Sequence, residues 1–373
     1  MTNLTALLRA PGAGFEADDD FERINELILE KGWGDGLPVV PPTSERVERM
    51  LAYCDRPFEE PLGLVAPRYG AATPLRLAAN AVMAGCRPEY FPIVMLAVEA
   101  LCDERFNLYT INATTHPCST LVVVNGPVAK ELKMNSGHNA LGPGNRANAA
   151  IGRAVRLAML NIGGATPGIG DMATFGTPAK FTFCAAENEE ANPWEPLHIE
   201  LGFAKDASTV TVFGAENPHN VNDHESVTGV GLLKMIAGTM AMTGANNLYF
   251  DGAALVIFGP EHAATVARDG YSKADVKRYL YEHGRVRLDM LSDENIERRI
   301  RKWAVYKNEF AEAGPHALIP VMKSPDNVYV IVLGGAGKHS AYLPTFGATH
   351  PVTWPLKLAD GRFARSVEEF RRG

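Results

Sequence analysis

A histidine, a proline and a cysteine stand directly before an apolar run in residues 112–127, NATTHPCSTLVVVNGP. Thr-His-Pro returns near the other end of the chain in GATHPVTWPL, with His350 in place of His116 and Val352 in place of Cys118. Imidazole changes charge near neutral pH, so His116 and His350 are candidates for acid–base work or for binding a metal. If 116–118 is extended, His116 and Cys118 point to one side with Cα atoms about 6–7 Å apart. That is too far for a relaxed dyad but close enough for both to face one substrate. Cys118 would then be the nucleophile, provided a base or a helix N-terminus lowers its pKa. A cysteine beside an apolar strand also serves packing, and that alternative stays open here.

Three further groups carry chemistry. VLGGAGKHS closes an apolar run on Lys338 and His339, and strand ends are where ligands sit in open α/β sheets. LGPGNRANAAIGRA sets Gly142 and Gly144 before a helix that opens with Arg146 and Asn148, a pattern that can hold a carboxylate or phosphate. The glycine-dense loop NIGGATPGIGDMATFG carries Asp171 and invites close approach of a ligand. Neither a Gly-x-Gly-x-x-Gly fingerprint nor a Walker lysine accompanies these turns, so a nucleotide cofactor is not expected.

A transition metal stays an open cofactor. ENPHNVNDHES offers His219, Asp223 and His224, and ENEEANPWEPLHIE offers Glu187, Glu189, Glu190, Glu195, His198 and Glu200. Histidine with carboxylate suits zinc, iron, copper or manganese, although the spacing matches no defined signature. The metal candidates are His116 with His350, or His219 with His224. In GWGDGLPVVPPT, Trp33 and Asp35 begin a rigid extended segment that could line a pocket or clamp a neighbouring subunit. Only Asp35 there is given a catalytic option.

The elements that must position these residues follow from periodicity. DDDFERINELILEKG, SERVERMLAYC, TPLRLAANAVMAGC and PEYFPIVMLAVEALC read as helices, the first three capped by Asp20, Thr43 and Thr73. TLVVVNGP, ALVIFGP and VYVIVLGGAGKHS are continuous apolar runs closing on glycine, which suits strands covered on both faces. Helices RANAAIGRAVRLAML and SKADVKRYLYEHG follow the first two, the latter with a Ser272–Asp275 capping box, and SDENIERRIRKW is a further helix capped by Ser292. The expected fold is therefore α/β, with a mixed or mostly parallel sheet and flanking helices. The recurring strand–turn–helix unit suggests two related lobes from an internal duplication. The expected organisation is a flexible arm at 1–20, an N-terminal lobe at 21–200, a C-terminal lobe at 201–360 and a surface tail at 361–373.

Composition narrows the function classes. The 373 residues are 46% hydrophobic and 21% charged, with a net charge of −7, so no surface that tracks nucleic acid is expected. No run approaches the ~18 apolar residues of a membrane span, and no signal peptide is read at the N-terminus. Five scattered cysteines without Cys-x-x-Cys exclude a disulfide framework, which points to free thiols and a cytoplasmic protein.

Several of these stretches, GWGDGLPVVPPTSERVERML, NAVMAGCRPEYFPIVMLAVEAL, NATTHPCSTLVVVNGP, LGPGNRANAAIGRA and FCAAENEEANPWEPLH, resemble a poorly characterised bacterial family associated with UGSC (seleno)proteins. The resemblance spans about residues 20–355 and implies, by analogy, thiol or selenol redox work. This chain has no Cys-Gly-Ser-Cys; Cys118-Ser119 is the nearest echo.

The leading expectation is an enzyme acting on a small anionic metabolite in a His/Cys-lined pocket between α/β lobes, with thiol-linked redox or lyase chemistry. The alternatives are a His/carboxylate metal-dependent hydrolase or lyase, and a non-catalytic subunit of a redox complex. A homo-oligomer and a redox partner protein are the expected associations.

Overall fold

The computed structural model describes residues 14–250, 252–298 and 313–372. Calls on residues 1–13, and on the expected Ser292-capped helix beyond residue 298, lie outside the described residues. The expected helices form at Phe21–Glu30 (α1), Ser44–Leu51 (α2), Pro74–Met83 (α3), Phe91–Leu101 (α4) and Arg146–Asn161 (α5). Gly229–Met240 (α6), Pro260–Arg268 (α7) and Lys273–His283 (α8) complete the major set. Their starts are fixed locally: Asp20, Thr43 and Thr73 each accept the N–H of the third residue onward, and Ser272 and Asp275 form the full capping box. Among the described residues no helix is long and apolar enough to cross a membrane.

The strands of the two larger sheets are Ser119–Asn125 (β1), Cys184–Ala186 (β2), Thr209–Ala215 (β3), His219–Asn222 (β4), Ala254–Phe258 (β5), Val328–Val332 (β6), His339–Pro344 (β7) and Val352–Pro355 (β8). They build two four-stranded sheets, ordered β8-β3-β1-β2 and β6-β5-β7-β4. Both sheets are mixed. β1 and β2 are parallel, as are β5 and β6, while the remaining pairs are antiparallel.

Side chains alternate along each strand, and both faces are buried for different reasons. Leu121, Val123 and Phe213 of one sheet pack with Leu255, Ile257 and Leu343 of the other. On the outer face, Val122, Val124 and Val212 join the core beneath α3, α4 and α5, and Val256, Phe258 and Val330 join the core beneath α6, α7 and α8. The layers therefore run helix, sheet, sheet, helix. The unbroken apolar runs are strands covered on both faces, as expected; one cover is a helical layer and the other is the second sheet. Each fully buried Val, Leu or Ile contributes about 1.5–3 kcal/mol, so the doubly covered strands anchor the fold. Gly152 lets α5 approach β2 closely, since a Cβ there would meet Thr182 Oγ1 at 2.4 Å and the Phe183 nitrogen at 2.8 Å.

Sheet membership does not follow the expected division at residue 200. β3 and β8, both beyond it, lie in the sheet that holds β1 and β2. The expected tail at 361–373 is in part packed: Val367 and Phe370 are buried in the same core as α3–α5, and Ser366 caps the turn that presents them.

The two sheets repeat one arrangement and exchange their edge strands. β4 follows β3 directly but pairs with β7 in the other sheet; β8 follows β7 but pairs with β3. Where the chain crosses, Ala215 and Thr345 form an antiparallel bridge. The flanking bonds are reciprocal: Glu216 N–H donates to the Pro344 carbonyl and Phe346 N–H to the Gly214 carbonyl, each at 2.8 Å. An approximate two-fold axis thus passes through the bridge, with Glu216 and Phe346 as counterparts. Ser119 lies opposite Ala215, and continuing the β5–β7 register puts Ala253 opposite Thr345. Three residues before each stand His116 and Phe250. Likewise His219, opposite Tyr342, corresponds to Val352, opposite Val212. The two Thr-His-Pro copies do not correspond: His116 leads into a central strand and His350 into an exchanged edge strand.

Candidate active site at the strand crossover

His116 is held by the turn that precedes β1, its backbone N–H donating to Thr114 Oγ1 at 3.1 Å. Its Nε2 lies 2.8 Å from Glu216 Oε1, and Glu216 Oε2 lies 3.6 Å from His219 Nε2. One carboxylate therefore stands between two imidazoles. The His116 and Glu216 side chains are only 12% and 18% exposed, so the charge-assisted bond is partly shielded from water. The Phe346 ring packs on His116 at 5.4 Å between centroids, and Phe250 stacks on Phe346 at 6.3 Å. With the carboxylate accepting from Nε2–H, the lone pair of His116 rests on Nδ1, which is buried without a hydrogen-bond partner. A carboxylate that fixes the tautomer meets one requirement of a general base; the other, access to the buried Nδ1, takes movement of the residues around it.

Behind this pair Cys118 is buried at the start of β1, its thiol directed to the Ile111 carbonyl. Burial pushes the thiol up to about 12, against a smaller opposing effect of Lys180. The expected nucleophile is thus held neutral and away from solvent. Burial raises every other cysteine thiol as well.

Asp171 accepts from Arg156 Nη2 at 2.8 Å and from Lys180 Nζ at 2.6 Å on both oxygens. Burial alone would raise its carboxyl, but the Lys180 hydrogen bond and the two cations outweigh that and hold it below the usual range. These residues line a cleft of about 450 Å³ whose wall includes Asp35, Thr174 and Phe175. The cleft adjoins the histidine turn: Thr174 N–H and Oγ1 both bond the Thr115 carbonyl, at 3.0 and 3.2 Å. Asp35, which carried a catalytic option, is gripped by Arg153 through two bonds of 2.7 and 2.8 Å and pins the extended segment after Trp33.

The other expected site residues lie elsewhere. His350 engages the Arg105 carbonyl through its backbone N–H, its imidazole is exposed, and no hydrogen bond or ring contact joins it to His116. Arg146 Nε bonds the Gly85 carbonyl, and Asn145 caps α5 at the Asn148 N–H, so the chain's own groups use the expected anion turn. Asn148 is buried and fastens the 135–140 loop through Asn135 and Ala140. Gly142 lies against Asn139, which a Cβ would meet at 2.1 Å, and Gly144 sits at φ +121 in the turn. Lys338 Nζ bonds the His224 carbonyl, and His224 pairs with His339 beyond the far end of β4 from His219. Among the described residues no group of three or more His, Cys, Asp or Glu converges as a metal site.

The glutamate-rich stretch is structural. Burial raises the Glu187 carboxyl, which accepts from Asn125 Nδ2 at 2.6 Å, Asn192 Nδ2 at 2.8 Å and the Leu197 N–H at 2.9 Å. Glu190 pairs with Lys130, and Glu200 with Lys273 and Lys277. His198 is buried, with Glu189 at 3.8 Å from Nδ1.

Sequence reasoning did not single out Glu216, Phe346, Arg156 or Lys180. Glu216 carried a usable signal, since it ends the apolar run TVTVFGA and precedes Asn-Pro-His219.

Neither a protein-family model nor a curated protein matches the chain.

Proposed function

We propose that the protein is an enzyme that moves a proton on a small anionic substrate, with His116 as general base and Glu216 as the carboxylate that orients it. The observation that carries this reading is the 2.8 Å His116–Glu216 pair, packed against Phe346 and tied to the cleft wall through the Thr115–Thr174 bonds. Arg156 and Lys180 bring two positive charges against the one negative charge of Asp171, and Asp35 cancels Arg153. The cleft so keeps one net positive charge, which suits a carboxylate or phosphate. Lyase or isomerase chemistry begun by proton abstraction fits this set. Cys118 is buried and its thiol is raised, which disfavours the thiol-linked chemistry that the UGSC resemblance implied.

The test is solvent hydrogen exchange in D2O, followed by NMR, over a panel of small carboxylates and phosphorylated acids. The wild type is expected to exchange a carbon-bound proton of at least one compound, and His116→Gln to lower that rate by about 10²–10⁴-fold. Exchange by His116→Gln at the wild-type rate overturns the reading, as does a wild type that neither binds nor exchanges any member of the panel.

A further inference from the structure

His224 and His339 take no part in the crossover site. His339 opens β7, and His224 follows the end of β4. His219, in the crossover cluster, and Asn222 are three residues apart on β4, so the two sites stand about 10 Å or more apart along the strand. Their Nε2 atoms approach to 3.3 Å, with the rings at 79° and centroids 5.1 Å apart.

We propose that His224 and His339 form a two-histidine site for a divalent transition metal. Two nitrogens bound to one tetrahedral zinc at about 2.0–2.1 Å stand about 3.3–3.4 Å apart, so the pair already has the spacing of two ligands. The tautomer suits this role. Asn220 Oδ1 lies 2.9 Å from His339 Nδ1 and accepts its proton, which puts the lone pair on Nε2, where a metal needs it.

The backbone that presents both rings is tied down. His339 pairs with Asn222 in the β7–β4 ladder. Lys338 Nζ holds the His224 carbonyl at 2.8 Å, and Asp223 Oδ1 accepts the N–H groups of Glu225 and Ser226 at 3.2 and 2.9 Å. The buried His262 bridges the Asp223 carbonyl and Ser340 Oγ at 3.0 and 2.8 Å, fastening the turn to β7. Without a metal, two facing imidazoles share at most one hydrogen bond; a metal satisfies both lone pairs. Both rings are exposed, so water or a ligand can fill the remaining positions, and no third His, Cys, Asp or Glu joins them among the described residues. Imidazole donors favour zinc, copper and nickel over magnesium or calcium.

The experiment titrates zinc chloride into untagged full-length protein by calorimetry near neutral pH, with melting temperatures recorded with and without zinc. One equivalent is expected to bind and to raise the wild-type melting temperature. His224→Ala and His339→Ala should each weaken binding at least about tenfold, and Asn220→Ala by about 10–100-fold. His316→Ala, at an imidazole that faces Asp289 elsewhere, should leave it unchanged. Both rings are exposed, so the variants should melt with the wild type when zinc is absent. A wild type that binds no zinc overturns the proposal, and so does a His224→Ala/His339→Ala variant that keeps the wild-type affinity.

Discussion

Glu216 and Phe346 occupy equivalent places on either side of the Ala215–Thr345 bridge, each donating its backbone N–H to the strand end of the other repeat. The same symmetry relates His116 to Phe250 and His219 to Val352. One half of the crossover therefore holds two imidazoles and a carboxylate where the other holds two phenyl rings and a valine. In the apolar half Phe250 stacks on Phe346, while Asn246 and Asn247 hold the Gly347 and Thr345 N–H groups. The fold has thus no need of charge at this place, and shielded polar groups cost free energy unless they are paired. On the proposed function the polar half serves chemistry.

Copying the apolar half onto the polar one separates the two roles. The His116→Phe/Glu216→Phe variant should fold, because replacing both members of a shielded hydrogen-bonded pair by packed apolar groups is often nearly neutral. Its proton-exchange activity should vanish. Glu216→Gln should keep the fold and lose about 10²-fold in rate. Urea denaturation and the D2O exchange assay, run side by side, check both expectations; a fully active double variant would refute the site.

The strands and capped helices were legible because local signals decide them: apolar runs ending on glycine, and Thr or Ser before a helix. What covers each strand was not, since a run buried under helices and one buried under a second sheet have the same composition. His116 was visible as a residue, but its partner lies a hundred positions away and is brought near by the pairing of β1 with β3. The repeated Thr-His-Pro pointed to His350, whereas register makes Phe250 the counterpart of His116. Identity of three letters is weaker evidence than place in a sheet. Arg146 and Asn148 looked like an anion turn because capping and anion binding use the same helix-start N–H groups, and Asn145 uses the one at Asn148.

Asp171 is the sole carboxylate among the described residues bonded to both Arg156 and Lys180. Asp171→Asn leaves two shielded cations against a neutral amide and should destabilise by about 3–5 kcal/mol in urea unfolding. The sign with pH follows from its lowered carboxyl. The stabilisation is fully present above the ordinary carboxylate pKa, about 4, and fades as pH falls through the lowered native value. The difference between wild type and variant should therefore shrink on acidification. A gap that stays constant down to pH about 2 would show that the ion pair is not its source.

Arg153 grips Asp35 with two bonds and reaches the Leu37 and Pro38 carbonyls at 3.2 and 3.0 Å. It fastens the extended Gly/Pro-rich segment to α5. Arg153→Leu should cost about 1–3 kcal/mol and speed proteolytic cleavage within residues 33–40. Arg153→Lys should not rescue the segment, because an ammonium cannot reproduce the planar two-point grip. Time-resolved limited proteolysis with mass spectrometry reads both outcomes.

Cys118 tests whether the motif that first marks the chain is chemical or structural. Its thiol is buried and raised to about 12, chiefly by burial, so it should resist iodoacetamide at pH about 8 in the native protein and react on unfolding. Cys118→Ala should leave exchange activity intact at a cost in stability of about 1 kcal/mol. The unfolded thiol ionises near pH 8.5 while the native one stays protonated, so the unfolded state binds fewer protons as pH rises. The stability the thiol contributes is thus complete below about pH 8.5 and is lost as pH climbs towards 12. Between pH 8 and 10 the wild type should lose about 2 kcal/mol that the Cys118→Ala variant does not. Rapid native alkylation of Cys118, or loss of exchange in Cys118→Ala, would return the cysteine to the mechanism.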